Sequence, residues 1–460
     1  MRPIDLAARQ AVTTVLAKGP AHTAELLSAT GVPQRTIVRA LAEQGGSLVS
    51  AGKARRRRHA LRRALRNVVG TVPVYAIDAQ GKASVLSSLD LIRPEGSLCP
   101  LGNFYPVADE ASDGWWDGLP YPLHDMRPQG YIGRLVAQAA HEPLGVPADP
   151  REWDDDAVVS YLERMGSDCS GNMVIGDASL RHYQAGLQRP TPPLAEEDLA
   201  TSYADYAQQG VLQAKAGSSA GGEFPKFTVL REGPAGAATP HAIVKFSGAD
   251  TGATTRRWAS LLVCEHLAVS HAGTVPGVVA STSRILTSSG RTFLESERFD
   301  RIGRHGRRAM VSLQSASDHL LGLASAPWPD HAAALATLGF MSPQNVESIR
   351  RLWWFGRLTA NTDMHLGNLA LFIEDGSFTP APAFDVLPMR YAPLAGGEVP
   401  PTPEWTPPLP LPPDKQAWMD AYVPALAFWR EAADDERVEP ELRTAFESNA
   451  SMLEKAAALV

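Results

Sequence analysis

The segment that most restricts the fold of this chain is residues 361–368, which read NTDMHLGN and run into the apolar stretch Leu369–Ile373. Asp363 precedes Asn368 by five positions, and such a loop before a strand is typical of phosphoryl-transfer sites. There the aspartate orients or deprotonates the attacking hydroxyl, and the asparagine oxygen helps to hold a magnesium ion. A further carboxylate, Asp385, follows an apolar segment and would join that metal to the β- and γ-phosphates. These residues predict a nucleotide site whose other parts lie upstream.

The upstream sequence supplies the remaining parts in order. Residues 217–223 (GSSAGGE) form a small-residue loop whose N–H groups could approach phosphates, and Lys226–Leu230 continues it as a strand. His241–Phe246 is an apolar strand that contains Lys245, which would aim a cation at the α- and β-phosphates. Residues 293–300 (FLESERFD) follow as a hinge that reads adenine with backbone amides. Loop, lysine, hinge, catalytic loop and metal aspartate thus stand in the order of a protein kinase.

Each piece also has a plainer interpretation when it is taken alone. The small-residue loop is then a flexible turn, Lys245 an exposed lysine at a strand end, and residues 297–301 a surface cluster of ion pairs. Asp363, His365 and Asp385 could also ligate the metal of a hydrolase, because histidine and carboxylates are competent ligands. No HxH or HExxH pattern accompanies them, and a hydrolase leaves Lys245 unexplained. The ordered series therefore favours phosphoryl transfer.

The charge of the chain divides it into two unequal parts. The 460 residues carry a net charge of −7, but Met1–Arg66 holds 13 Lys/Arg against three Asp/Glu, a balance of +10. The remainder therefore carries −17. A basic segment joined to an acidic body suggests a nucleic-acid-binding module fused to another function.

The basic segment has the pattern of a helix-turn-helix. Apolar residues at helical spacing predict a first helix, Thr23 can cap a short second helix, and Gly31 supplies a turn. A third helix then carries an apolar face made by Ile37, Val38 and Leu41. In DNA-binding versions this helix enters the major groove. Its opposite face offers side chains that can reach bases or phosphates, namely Gln34, Arg35, Thr36 and Arg39.

A wing is predicted after the third helix. Residues 47–50 can form a strand that leads into a loop with four consecutive arginines, Arg55, Arg56, Arg57 and Arg58. Cations along such a loop neutralise phosphates and release counterions, which supplies most of the non-specific affinity for DNA. The alternative is a solvated basic loop, the usual role of a charge run. The position directly after a helix-turn-helix pattern favours DNA binding.

Two further features concern the cellular environment and the C-terminal part. Cys99, Cys169 and Cys264 lie far apart without CxxC spacing, which argues against disulfides and fits a reducing cytoplasm. No apolar run approaches the roughly 20 residues that span a bilayer, so no membrane partner is expected. Eight of the fourteen residues of Pro400–Pro413 are proline, which predicts either an ordered surface strap or a flexible linker.

Four motifs together resemble the HipA family of bacterial serine/threonine kinase toxins: residues 218–223 (SSAGGE), 297–301 (ERFDR), 361–368 (NTDMHLGN) and 384–385 (FD). The whole chain resembles the YjjJ-type branch, which carries its own amino-terminal helix-turn-helix. The resemblance implies an α+β protein, in which an N-terminal winged helix-turn-helix precedes a two-lobed kinase-like fold with a mixed α/β N-lobe and a mostly helical C-lobe. The expected domains are residues 1–68 for DNA binding, 69–208 for a HipA-like N-terminal subdomain and 209–460 for the kinase core.

The resemblance also implies a role for each site residue. Asp363 would be the catalytic base or orienter, Lys245 would bind phosphate, and Asn368 and Asp385 would bind Mg²⁺. Ser218 matches a loop serine whose autophosphorylation inactivates such kinases, because a phosphate adds about −1.5 to −2 charges beside an anionic ligand. The expected ATP site comprises Ser219, Ala220, Gly221, Gly222, Lys226, Lys245, Glu297, Arg298, Phe299 and His365.

The chain departs from the family pattern in two places. Residues 310–314 (MVSLQ) lack an acidic pair that HipA proteins usually carry after the hinge, and Phe384 stands where tyrosine is common. Both departures concern the protein substrate more than the nucleotide, whose adenine would lie at Glu297 and Phe299. Glu265, on a predicted helix twenty residues after Lys245, is a candidate ion-pair partner for that lysine.

The sequence thus predicts an ATP- and Mg²⁺-dependent serine/threonine kinase toxin that phosphorylates a host protein, with a translation component as one candidate, and arrests growth. The basic segment would bind duplex DNA for autoregulation or nucleoid association, and a homodimer is compatible with the pattern because helix-turn-helix proteins commonly dimerise. The alternative is a nucleotide-sensing DNA-binding transcription regulator with a weak or inactive kinase-like part. The joint presence of Lys245, Asp363, Asn368 and Asp385 disfavours that alternative.

Overall fold

The fold is described from a computed structural model for residues 6–65, 70–215, 224–234, 236–323, 326–394 and 396–460. The protein is mixed α+β. Its parts, in chain order, are a basic head (6–65), a middle region (70–188), a small lobe (199–307) and a helical lobe (310–460). No helix within the described ranges is long and apolar enough to cross a bilayer.

The basic head places three helices on a small antiparallel sheet of strand order β1-β3-β2. Gly31 ends the second helix with φ 65°, a left-handed conformation that suits glycine, and so turns the chain toward the third. The elements are α1 (Leu6–Leu16), β1 (Ala21–His22), α2 (Thr23–Thr30), α3 (Gln34–Ala42), β2 (Leu48–Ala51) and β3 (Arg58–Leu61).

The third helix differs from the prediction at one residue. Ile37, Ala40 and Leu41 face the core of the head, as the helical period requires. Val38 was expected beside them but is 54% exposed, because it lies about 100° around the helix from Ile37.

The middle region is a sheet of order β7-β6-β5-β4-β8 covered by helices. Its two longest strands, Val72–Ile77 and Ala83–Leu91, pair with each other in antiparallel fashion. The elements are β4 (Val72–Ile77), β5 (Ala83–Leu91), β6 (Ser97–Leu98), β7 (Trp115–Trp116), α4 (Gly130–Leu144), α5 (Asp155–Met165), β8 (Met173–Ile175) and α6 (Asp177–Gln188).

The head and the middle region share an apolar core. Val49 and Ala60 of the head pack with Ile92, Leu98 and Trp115 of the middle region. Around this core lie two ion pairs, one between Arg62 and Asp90 at 2.8 Å and the other between Arg63 and Asp156. The head is therefore joined to the body by burial as well as by charge.

The small lobe is built on an antiparallel sheet of order β11-β12-β10-β9 with two long helices packed against it. In β10 the alternation of a strand buries Ala242, Val244 and Phe246 on one face and turns Ile243 and Lys245 to the other. The elements are α7 (Leu199–Lys215), β9 (Lys226–Leu230), β10 (His241–Phe246), α8 (Ala253–Ala272), β11 (Ser283–Ser288), β12 (Arg291–Glu297), β13 (Arg301–Ile302) and β14 (Gly306–Arg307).

The helical lobe carries a three-stranded sheet of order β15-β16-β17, and the 361–368 loop joins its helices to that sheet. The proline-rich segment is ordered, because Trp405 is buried against Trp429 with ring centroids 5.4 Å apart. The elements are β15 (Met310–Ser312), α9 (Leu313–Leu320), α10 (Trp328–Thr337), α11 (Pro343–Leu358), β16 (Ala370–Glu374), β17 (Ser377–Pro380), α12 (Lys415–Asp434) and α13 (Pro440–Ala457).

Candidate active site

Lys245 lies at the centre of a buried ion cluster between the lobes. Its Nζ donates to Glu265 Oε1 and Oε2 at 2.7 and 2.9 Å and to Asp385 Oδ1 at 2.5 Å. Glu265 comes from α8 and Asp385 from the segment after β17, so three elements meet at one ammonium group. The ion pair between Lys245 and Glu265, expected from the sequence, is present.

Burial and charge shift the pKa values of all three groups. Burial raises the pKa of Glu265 to about 7, although Lys245 opposes the shift. Burial alone would also raise the pKa of Asp385, but attraction to Lys245 and the hydrogen bond from it lower that pKa instead. Burial would lower the pKa of Lys245, and the two carboxylates outweigh it and raise the pKa. Lys245 and Asp385 therefore both carry charge at neutral pH.

The 361–368 loop is held by its own amides. The backbone N–H of Asp363 donates to Asn361 Oδ1 at 3.0 Å, and Asn368 Nδ2 donates to the carbonyl of Asp363 at 2.8 Å. Because the amide nitrogen of Asn368 faces that carbonyl, its Oδ1 points elsewhere and can accept a ligand. The side chain of Asp363 is exposed, so a hydroxyl from another molecule can reach its carboxylate.

His365 of this loop lies near Asp385. His365 Nδ1 accepts from the N–H of Gly367 at 3.1 Å, and its charge contributes to the lowered pKa of Asp385. Asp385 itself has φ 55°, a left-handed conformation that costs a non-glycine residue about 1–3 kcal/mol. The contacts to Lys245 hold the carboxylate in that orientation.

In the predicted hinge, residues 293–300, the side chains and the backbone have different hydrogen-bond partners. The carboxylate of Glu297 accepts from the N–H groups of Ala238 and Thr239 at 2.7 and 3.0 Å. Arg298 is buried, and its guanidinium donates to Asp300 at 3.1 and 3.0 Å. Glu297 thus bonds through Oε1 and Arg298 through its guanidinium. Among the described residues no hydrogen bond uses the N–H of Phe299.

A cavity of about 450 Å³ connects these groups and falls in the size range of small-molecule sites. The predicted site residues that line it are Lys226, Lys245, Glu297, Arg298, Phe299 and Asp385. The catalytic loop reaches the cavity at Gly367. The predicted phosphate-loop residues Ser218, Ser219, Ala220, Gly221 and Gly222 lie outside the described residues.

The middle region forms one wall of the same cavity, which was not predicted. Its contributions come from the segment before α4, from α4 and from the loop before β8; they include Asp125, Arg127, Gln129, Ile132, Val136 and Cys169. These residues carry no local motif of the kind that identified the 361–368 loop. Burial raises the pKa of the Cys169 thiol to about 11, so it is not a reactive thiolate at neutral pH.

The donor set fits a magnesium ion that also binds phosphate. Mg²⁺ prefers oxygen ligands and is usually held by one or two protein groups together with substrate phosphates. Asn368 Oδ1 and the second carboxylate oxygen of Asp385 are the candidates, since the first oxygen of Asp385 faces Lys245. Across the described ranges no three His, Cys, Asp or Glu side chains form a metal cluster, which gives the hydrolase alternative no support.

Family comparisons agree with this geometry. A family model described as the YjjJ-like toxin, middle domain, matches residues 68–184, and one described as the HipA-like C-terminal domain matches residues 218–448. The chain is also 32% identical over 442 residues to Toxin YjjJ of Escherichia coli (strain K12), and the match covers 94% of each protein. This chain belongs to the HipA-like toxin family.

Two solved structures resemble this HipA-like chain. HipA of Shewanella oneidensis MR-1, determined with HipB and operator DNA, is 14% identical, with a TM-score of 0.47, over 84% of this chain and 97% of the other. The Helicobacter pylori proinflammatory kinase CtkA is 13% identical, with a TM-score of 0.34, over 52% of this chain and 92% of the other.

The predicted DNA-binding residues of this HipA-like chain fall into two groups. Gln34, Arg35, Arg55 and Arg57 are exposed, whereas Thr36 and Arg39 are half-buried and Arg39 pairs with Glu43 at 3.0 Å.

The other two arginines of the wing face the middle region. Arg56 pairs with Asp113 at 3.1 Å, and the guanidinium of Arg58 lies 5.2 Å from the ring centroid of Trp115. Half of the arginine run thus contacts the protein itself.

Proposed function

We propose that this protein is a HipA-like serine/threonine protein kinase that transfers the γ-phosphate of ATP to a protein hydroxyl. The observation that carries the proposal is the contact of Lys245 with both Glu265 and Asp385 inside the cavity. A lysine that is paired to a helix carboxylate and placed beside a metal-binding aspartate is the arrangement that phosphoryl transfer requires.

Each residue of the site then has a chemical task. Lys245 binds the phosphates, and the exposed carboxylate of Asp363 accepts or orients the proton of the attacking hydroxyl. Asn368 and Asp385 would hold Mg²⁺, which supplies positive charge that neutralises the phosphates when it is bound. The N–H of Phe299, which has no partner among the described residues, supports a role in reading adenine.

Ser218 is the proposed site of autophosphorylation. It belongs to the small-residue loop before Lys226, and Lys226 lines the cavity near Lys245. A phosphate on Ser218 would bring about −1.5 to −2 charges to a loop that must accommodate the phosphates of ATP. Modification there would weaken ATP binding by repulsion.

We propose that the basic head is a winged helix-turn-helix that binds duplex DNA through α3 and through Arg55 and Arg57. The exposure of Gln34 and Arg35 at the start of α3 supports contacts to a major groove. Because a relative of this chain is named a toxin, we infer that the kinase acts on a host protein to arrest growth and that the head serves autoregulation.

A nucleotide-sensing DNA-binding regulator is the second candidate. The apolar core that joins Val49 and Ala60 of the head to Trp115 of the middle region favours it, because the head is fixed on a body that carries a nucleotide cavity. This candidate predicts ATP binding without phosphate transfer.

Incubation with labelled ATP and Mg²⁺ separates the two functions. We expect phosphate on Ser218 and on a protein of the host lysate with the wild type and none with Asp363→Ala. Asp434→Ala is a matched control, because Asp434 is exposed at the end of α12, away from the cavity. If the wild type binds ATP but labels no protein, and Asp363→Ala behaves identically, the kinase proposal is wrong.

A further inference from the structure

We propose that Asp125 of the middle region is a positioning residue for the catalytic loop of the helical lobe. The inference rests on the proposed kinase function and adds to its site a residue that no kinase motif contains. Asp125 belongs to the 3-10 helix Tyr121–Met126 and lines the nucleotide cavity.

The carboxylate of Asp125 accepts three hydrogen bonds from the start of α9. Its Oδ2 accepts from the backbone N–H of Ser312 at 2.6 Å, and its Oδ1 accepts from the hydroxyls of Ser312 and Ser315 at 2.7 and 2.8 Å. Ser312 Oγ in turn accepts from the N–H of Ser315 at 3.1 Å and so caps the helix. Hydrogen bonds to an ionised carboxylate are about twice as strong as neutral ones. Asp125 therefore fixes the junction between β15 and α9.

That junction is bonded directly to the catalytic loop. Ser312 pairs with Ala370 in the β15–β16 ladder, and the N–H of Leu313 donates to the carbonyl of Leu369 at 2.7 Å. Leu369 immediately follows Asn368, whose side chain holds the backbone of Asp363. A shift of Ser312 would be transmitted through one strand ladder to the residues that hold metal and orient the hydroxyl.

A second contact holds the other end of α9 on the middle region. The His319 ring stacks on Tyr121, with centroids 5.2 Å apart and planes inclined by 8°, and lies 4.6 Å from the Trp116 ring. Tyr121 and Asp125 belong to the same 3-10 helix. The middle region thus contacts α9 at both ends, and the Asp125 end is bonded to the strand that follows the catalytic loop.

The Asp125→Asn substitution tests the proposal while preserving the size of the side chain. It replaces one carboxylate acceptor by an NH₂ donor, so at least one bond from Ser312 or Ser315 is lost. We expect kcat for phosphate transfer to fall about tenfold, with KM for ATP within about twofold of the wild type. Amide hydrogen exchange in residues 363–370 should accelerate, while exchange in α13 should not.

Two comparisons make the result specific. Asp149→Asn alters a half-buried carboxylate of the same region whose side-chain hydrogen bonds, among the described residues, stay within residues 149–151, and it should leave kcat and exchange unchanged. Ser312→Ala should reduce kcat on its own. Combined with Asp125→Asn, it should cost less than the sum of the two single effects, because both act through one contact.

Several outcomes would overturn the proposal. An unchanged kcat and unchanged exchange in Asp125→Asn would remove any positioning role, and a raised KM with unchanged kcat would mean that Asp125 contacts the nucleotide. Faster amide exchange throughout the helical lobe would mean that Asp125 contributes only to the stability of that lobe. If the wild type transfers no phosphate, the kinase proposal fails, and the exchange comparison still decides the role of Asp125. Should Asp125→Asn not fold, Ser315→Ala removes one of the three donors and permits the same measurements.

Discussion

Lys245 and Glu265 are joined through both carboxylate oxygens, at 2.7 and 2.9 Å, with Glu265 almost fully buried on α8. The contact fixes the lysine of the sheet to α8, a long helix that packs against it. Its strength depends on pH, because burial raises the pKa of Glu265 to about 7.

Phosphate transfer should therefore fall as the pH drops through about 7. An acid with a raised pKa holds its proton below that value, so Glu265 loses its charge and Lys245 keeps only Asp385 as an ionic partner. A rate profile of the wild type from pH 6 to 8.5 should show this single ionisation. Glu265→Gln should be about tenfold slower at pH 8, a loss of about 1.4 kcal/mol, and should lack the inflection.

Glu431→Gln provides the control for that profile. Glu431 is exposed on α12 and contacts His271 rather than the cavity, so its variant should keep the wild-type inflection. An inflection near pH 7 that persists in Glu265→Gln would assign the ionisation to another group.

Asp300→Asn should destabilise the protein by about 3–5 kcal/mol, because it leaves buried arginines without their central carboxylate. Asp300 accepts from Arg298 at 3.0 Å, from Arg301 at 2.6 Å and from the N–H of Gly171 at 3.1 Å. Urea unfolding at pH 7 would measure the loss. Asp149→Asn, at a half-buried carboxylate whose ionic partner Arg151 is exposed, should change the free energy of unfolding by less than about 0.5 kcal/mol.

The loss of stability caused by Asp300→Asn should also depend on pH. Burial favours the protonated form of Asp300, but the two arginines outweigh it and hold its pKa far below the ordinary 3.8. The stability that the carboxylate contributes is thus fully present above pH 4 and is lost as the pH falls below that value. The difference between wild type and Asp300→Asn should stay constant from pH 8 to 5 and narrow in more acidic buffer.

The parts of the site that the sequence predicted are those that local patterns encode. The two-residue period of β10 turns Lys245 away from the core, and the helix that carries Glu265 begins soon after it, so their contact could be expected. Asp385 could be predicted because an apolar segment precedes it. The strand alternation and the order of the motifs require no knowledge of distant residues.

Contacts between distant segments could not be predicted. Asp125 is hydrogen-bonded to Ser312, which lies 187 positions later in the chain. No residue near Asp125 in the sequence belongs to a kinase motif. Arg298 belongs to the recognisable hinge motif, yet its side chain forms ion pairs with Asp300 and Asp168. A motif identifies a segment that lines the cavity, but it does not separate the groups that are available to a ligand from the side chains that hold the segment in place.

The arginine run offers a test with adjacent residues of the same type. Arg55 is exposed, while Arg56 pairs with Asp113 of the middle region at 3.1 Å. If Arg55 contacts one phosphate, Arg55→Ala should reduce the slope of log K against log salt by about 0.9 for duplex DNA. Arg56→Ala should leave that slope unchanged. Titrations of duplex DNA at several salt concentrations would measure both, and equal slopes in both variants would contradict this division of the wing.

The proline-rich strap should stabilise the helical lobe through a single side chain. Trp405 is buried with its ring centroid 5.4 Å from that of Trp429, and the indole of Trp429 donates to the carbonyl of Leu358 at 2.8 Å, just before the catalytic loop. Trp405→Ala should lower the free energy of unfolding by about 3–5 kcal/mol, because the surrounding side chains cannot fill the void that the indole ring leaves.

Leu411→Ala tests whether the rest of the strap matters equally. Leu411 lies on the same strap but is 72% exposed, so its loss should change the free energy of unfolding by less than about 0.5 kcal/mol. Urea unfolding of both variants, followed by tryptophan fluorescence and by circular dichroism, would measure the two effects. Equal small effects would mean that the strap adds nothing to the lobe, since Trp405 is its main buried aromatic contact with α12. A large effect of Trp405→Ala alone would show that one anchor, rather than the proline content, keeps the strap on the helical lobe.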